Sequence, residues 1–144
     1  MLLGRNVTIE HQPTPHIPLC IADPTNLNQA LLNLAANTRD ALPRTGGRVT
    51  ITTGTRVLAS REVDGIELPG GVYVTLAFSD DGPGMDAATQ ARVFEPFFTT
   101  KSEYGTGLGL ASVQRIVREA GGAVELESAL GAGCTFTISL PARV

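Results

Sequence analysis

The sequence predicts an α+β chain: a two-layer sandwich with one mixed sheet and about three helices on one face. Two observations predict it. Three segments carry helix caps or one-sided apolar spacing, and about six or seven carry strand alternation. Helices and hairpins are grouped along the chain rather than strictly alternating, which favours a sheet with helices on one side over a doubly wound parallel fold.

Residues 6–10 and 18–22 read as short strands, separated by a stretch with Pro13 and Pro15 that no central ladder accepts. Asp23-Pro24 opens the first helix: the aspartate supplies an N-cap oxygen, and proline suits a position whose N–H has no partner. That helix is expected to run to about Leu42, before Pro43 and Gly46-Gly47. Residues 48–57 put Val49, Ile51 and Thr53 on one face of a half-buried strand. Residues 58–71 read as an irregular, polar hairpin tip. In 72–78 the alternation places Val72, Val74, Leu76 and Phe78 on one side and delivers the chain to Asp80. Asp86 caps a short helix reaching Phe94, and 108–120 buries Val113, Ile116, Val117 and Ala120 at helical spacing before Gly121-Gly122. Strands at 123–128 and 134–140, joined by Leu130-Gly-Ala-Gly133, close the chain.

Composition narrows the function. The 144 residues, 42% hydrophobic, make one domain long enough to bury roughly two thirds of its unfolded surface. Eleven basic against 14 acidic residues give a net charge of −3, which disfavours a nucleic-acid binder. No apolar run reaches the ~18 residues of a membrane span, so a cytoplasmic domain without membrane contact, monomeric in isolation, is expected. Cys20 and Cys134 lie far apart without metal-ligand spacing.

Four constellations carry chemistry. Along the first helix Leu27, Leu31, Leu34, Thr38 and Leu42 share one face, and Asn26, Asn33, Asn37 and Asp40 another. A solvated face would favour Lys and Glu, absent here, whereas stacked amide and carboxylate oxygens suit Mg²⁺ carried with phosphates. Asp80-Asp81-Gly82-Pro83-Gly84-Met85 is either a tight turn or a carboxylate fixed at a strand end, with glycines that admit a flat ring. Gly105-Thr106-Gly107-Leu108-Gly109-Leu110 fits neither a Rossmann fingerprint nor a Walker A loop. It leaves a glycine-rich turn at a helix N-terminus, able to meet an anion, with the only lysine, Lys101, four residues upstream. Phe94-Glu-Pro-Phe-Phe98 holds three of the five phenylalanines, a local apolar cluster.

In order and spacing, Asn-Leu-Ala-Ala-Asn (33–37), Asp-Asp-Gly-Pro-Gly-Met (80–85), Phe-Glu-Pro-Phe-Phe (94–98) and Gly-Thr-Gly-Leu-Gly-Leu (105–110) resemble the N, G1, F and G2 boxes of the catalytic ATP-binding domain of sensor histidine kinases. That domain belongs to the GHKL superfamily with gyrase B, MutL and the large heat-shock chaperone. Residues 37–47 and 98–101 look most like its nitrogen-regulator and hybrid-sensor branch. The resemblance implies a Bergerat sandwich, ATP and Mg²⁺ as ligands, Asn37 as metal ligand, and Asp80 as acceptor of the adenine amino group. It implies Gly84 beside the ring and Gly105, Gly107 and Gly109 in the phosphate-proximal box, with 99–104 in the place of the ATP lid. Asp40, Gly82, Met85, Thr99, Thr100, Lys101, Thr106 and Leu108 would join them in binding the nucleotide.

Asn33 stands where the ATPase branches carry a glutamate general base, so the γ-phosphoryl is expected to be kept for a histidine. Asp81 stands in place of the usual Asn. Cys134 replaces a threonine, leaving Thr135 as the neighbouring hydroxyl for the nucleotide. Neither His11 nor His16, set among prolines, can lie in the helix that carries the family's phosphoacceptor. The expected partners are therefore a separate histidine-containing dimerisation domain and, indirectly, a response regulator. Two other readings share the fold: a non-catalytic nucleotide-binding regulatory module and an anti-sigma-type serine kinase.

Overall fold

A computed structural model describes residues 7–12, 23–42, 47–63, 65–95 and 109–142. The expected strand at 18–22 lies outside them.

Among the described residues, five strands form a mixed sheet in the order β1 (Val7–Gln12), β2 (Gly47–Leu58), β5 (Gly71–Asp80), β7 (Cys134–Pro141), β6 (Ala123–Ser128). Only the edge pair β1 and β2 is parallel. Helices α1 (Pro24–Ala41) and α3 (Gly109–Glu119) pack against each other, and α2 (Ala87–Arg92) is a short helix after β5. The two-layer sandwich expected from the sequence is therefore the observed one.

The register explains the inner face. Strands paired side by side align Ile51, Phe78, Phe136 and Leu126 in one row, and Thr53, Leu76, Ile138 and Val124 in the next. Against these rows pack Ala30 and Leu34 of α1 and Leu110, Val113, Ile116 and Val117 of α3, all buried. Fully burying one such aliphatic side chain contributes about 1.5–3 kcal/mol, so this layer contact holds the sandwich together.

The start of α1 forms as its sequence requires: the Asp23 carboxylate accepts from the N–H groups of Thr25 at 2.9 Å and Asn26 at 3.3 Å, and Pro24 opens the first turn. Of the expected apolar face, Leu34, Thr38 and Leu42 are buried and Leu27 and Leu31 half-buried. Asp86 caps α2 as expected, accepting from the Thr89 N–H at 2.7 Å.

Residues 58–71 depart from the expected irregular tip. They contain a regular ribbon, β3 (Arg61–Val63) paired antiparallel with β4 (Ile66–Leu68). From it Arg61 makes a two-point ion pair with Glu125, at 2.6 and 3.2 Å, across the outer face of the sheet. The Tyr73 hydroxyl donates to the Pro69 carbonyl at 2.6 Å. The ribbon thus folds over one end of the outer face, which is why Tyr73 and Thr75 are buried although they alternate with Val72, Val74 and Leu76.

Candidate functional site

The site begins at the end of β5. One row of the inner face runs Val49, Asp80, Cys134, Ser128 across four strands. Strand pairing on both sides of β5 pins the backbone of Asp80, and its side chain faces the helices with only 8% exposure. Its Oδ1 accepts from the Gly82 N–H at 2.9 Å. Burial pushes the Asp80 carboxyl above its usual range, opposed by the N–H groups of Gly82 and Cys134 and reinforced by the neighbouring Asp81 charge. A recessed, hydrogen-bonded carboxylate can accept from an amino group without reorganising.

The turn after Asp80 is fixed by tertiary contacts. The Met85 N–H donates to Ser128 Oγ at 2.9 Å, and the Ser128 hydroxyl donates to the Gly133 carbonyl at 2.7 Å. Gly131 N–H donates to the Pro83 carbonyl at 2.8 Å. Gly84 has φ +75°, and a Cβ there would run into the Ala129 carbonyl. The turn of residues 80–85 and the loop joining β6 to β7 therefore interlock, and glycine is required at Gly84 by backbone conformation and by that contact.

Cys134 lies beside Asp80 with its Sγ 3.2 Å from Ser128 Oγ. Burial pushes the thiol up, and the Asp80 charge adds to this. Thr135, expected at the nucleotide, points to the opposite face: side chains alternate along β7, and its hydroxyl is paired with that of Ser79 at 2.9 Å. This corrects the sequence expectation. The hydroxyl on the Asp80 side is that of Ser128, which sequence reasoning missed. Asp81, which stands in place of the usual Asn, closes the strand end: its Oδ1 accepts from the Arg48 N–H at 2.7 Å, and its own N–H donates to the Arg48 carbonyl.

Asn33 and Asn37 stand one turn apart on α1, both half-buried. The Asn33 amide is engaged: it accepts from Gln29 Nε2 at 3.0 Å and donates to the Gly109 carbonyl at 3.4 Å, which ties α1 to the first residue of α3. Asp40 is in the last turn of α1. That end of the helix meets the Asp80 turn, because a Cβ on Gly47 would lie 2.7 Å from a Leu42 methyl and 2.8 Å from Asp81 Oδ1. Thr99, Thr100, Lys101, Gly105, Thr106, Gly107 and Leu108 lie outside the described residues, as do Phe97 and Phe98. Phe94 is described and packs edge-on against Phe136, ring centres 6.2 Å apart. Among the described residues no helix is long and apolar enough to cross a membrane.

Residues 22–144 match the family model described as histidine kinase-, DNA gyrase B-, and HSP90-like ATPase. The sensor kinase CckA of Brucella abortus is 41% identical over 142 residues, 97% of this chain and 15% of that protein. The sensor histidine kinase ZraS of Klebsiella oxytoca is 39% identical over 138 residues, 96% of this chain and 27% of that protein. The chain thus spans well under half the length of these curated relatives. Among solved structures, the mycobacterial sensor histidine kinase MprB superposes with a TM-score of 0.71 at 31% identity, covering 96% of this chain and 83% of that one. Full-length ShkA in complex with AMPPNP superposes with a TM-score of 0.71 at 32% identity, covering 96% of this chain and 26% of that one.

Proposed function

The chain belongs to the histidine kinase-, DNA gyrase B-, and HSP90-like ATPase family, as an ATP-binding domain of the sensor histidine kinase kind, and on that premise we propose how its residues serve phosphoryl transfer to a histidine. The observation that carries the reading is the buried Asp80 carboxylate, fixed by strand pairing and by Gly82 in front of a turn clamped from below. Such a group selects an adenine amino donor over a guanine carbonyl, since a carboxylate facing a carbonyl leaves two acceptors opposed. The likeness to a kinase solved with AMPPNP supports a triphosphate ligand.

Asn37 offers one hard oxygen on the helix beside the Asp80 turn, which fits Mg²⁺ held mainly by phosphates and water. When bound, the ion neutralises charge on the phosphate oxygens. Gly109 opens α3, whose N–H groups would face those oxygens, with Lys101, Thr99, Thr100 and residues 105–108 adding further donors. Gly84 and Met85 would border the ring, and Asp40 the phosphate side. Asn33 has no carboxylate with which to take a proton from water, and its amide is already engaged with Gln29 and Gly109. The γ-phosphoryl is thereby preserved for an imidazole on a dimerisation domain, with a response regulator as the later acceptor.

The test is to add radiolabelled ATP and Mg²⁺ to the chain, alone and with a dimerisation domain bearing the histidine. Acid-labile label on that domain, with negligible phosphate release from the chain alone, is the expected result. Substantial release that disappears in Asn37→Ala would favour an ATPase, and ATP binding without transfer a regulatory module.

A further inference from the structure

Helix α2 is anchored through a polar side chain. Whereas α1 and α3 bury apolar faces, α2 buries none of its own residues. Its polar anchor is Gln90, whose Nε2 donates to the Met85 carbonyl at 2.8 Å and to the Ser128 carbonyl at 2.9 Å. The amide orientation is fixed by chemistry, because both neighbours are carbonyl oxygens and only the nitrogen end carries donors. Just beyond the helix, Val93 is buried and Phe94 meets Phe136, so α2 is tied to the core at its far end.

From these contacts we infer that Gln90 is a positioning residue for the nucleotide base: its two hydrogen bonds hold Met85 against Ser128 and so set the depth of the turn that carries Gly84 beside Asp80. The inference rests on the nucleotide reading above. Three polar ties meet at this point. Ser128 accepts from the Met85 N–H, while Gln90 takes up the Met85 and Ser128 carbonyls, so both backbone polar groups of Met85 are held. The turn residue nearest the ring is then fixed from α2 on one side and from β6 on the other. Loss of the Gln90 donors leaves two part-buried carbonyls without their partner, and the lowest-energy response is for the turn to move toward water. Such a shift acts on the base and leaves the phosphate side, on α1 and α3, where it is.

The test compares binding of ADP, GDP and inorganic tripolyphosphate, each with Mg²⁺, by calorimetry on the wild-type chain and on Gln90→Glu, Gln90→Ala and Ser128→Ala. Gln90→Glu keeps the length and removes both donors. The expected result is about a tenfold loss of ADP affinity in Gln90→Glu and Gln90→Ala, a narrowed preference for ADP over GDP, and unchanged tripolyphosphate affinity. Ser128→Ala, which removes the tie on the Met85 N–H, should show the same selective pattern. Wild-type ADP affinity in Gln90→Glu, or equal weakening of ADP and tripolyphosphate, overturns the positioning role. A wild-type chain that binds ADP and GDP alike overturns the adenine reading itself, and Gln90's role with it.

Discussion

Gly133 sits directly against Asp80: a Cβ built on Gly133 would overlap the Asp80 carbonyl oxygen and lie 3.2 Å from the Asp81 Cα. The loop between β6 and β7 thus seals the backbone of the residue that carries the candidate base contact. Gly133 also has φ +74°, a conformation that costs a side chain about 1 kcal/mol before any overlap. Gly133→Ala is expected to destabilise the chain by about 2–4 kcal/mol and to weaken ADP binding with it. Urea midpoints and calorimetry check this, and an unchanged midpoint would show that the loop yields freely.

Asp80→Asn separates stability from binding. Burial raises the Asp80 carboxyl in the folded chain above its ordinary 3.8, so the folded state holds that proton more tightly than the unfolded state does. Its contribution to stability is therefore full below pH 3.8 and is lost as pH rises through the higher, folded value. At pH 7 the buried charge opposes folding, and the amide oxygen can still accept from Gly82. Asp80→Asn should melt higher than wild type at pH 7, with the difference closing toward pH 3.8, while ADP affinity falls by about 2 kcal/mol or more. A variant that melts lower at pH 7, or binds ADP as before, contradicts this account.

Asp81 and Arg48 supply a second test of the same electrostatics. Asp81→Asn keeps an oxygen for the Arg48 N–H but removes the charge that helps to raise the Asp80 carboxyl. The acid limb of ADP binding should move to lower pH, with folding stability nearly unchanged. Asp81→Ala loses the 2.7 Å bond as well and should cost about 1 kcal/mol in a urea titration. An acid limb that stays in place in Asp81→Asn would show that the Asp81 charge adds nothing to the Asp80 shift, leaving it to burial against the Gly82 and Cys134 N–H groups.

Local signals made much of this legible. The Asp23 cap, Pro24 and the strand into Asp80 depend on residues adjacent in sequence, so alternation and capping chemistry read them directly. Thr135 failed by one residue of parity: a hydroxyl moved one place along a strand changes face. The ribbon of β3 and β4 was missed because three-residue strands carry too short an alternation, although Val63-Asp-Gly-Ile66 has the two-residue hairpin signal. Gln90 and Ser128 left no trace, since their roles depend on backbone carbonyls and N–H groups that the fold brings from other segments.

Lys101 is read from sequence alone. It is the only lysine in the chain and stands four residues before Gly105, on the N-terminal side of the glycine run whose other end leads into α3. An ammonium there would meet the terminal phosphate of ATP, the group that ADP lacks, and a charge-assisted hydrogen bond contributes about 1.5–3 kcal/mol. Lys101→Ala should therefore weaken Mg²⁺-ATP binding by about tenfold or more and leave ADP binding within about twofold. Lys101→Arg keeps the charge and should recover part of the loss. Equal weakening of ATP and ADP would place Lys101 at the β-phosphate instead, and no change in either would remove it from the site.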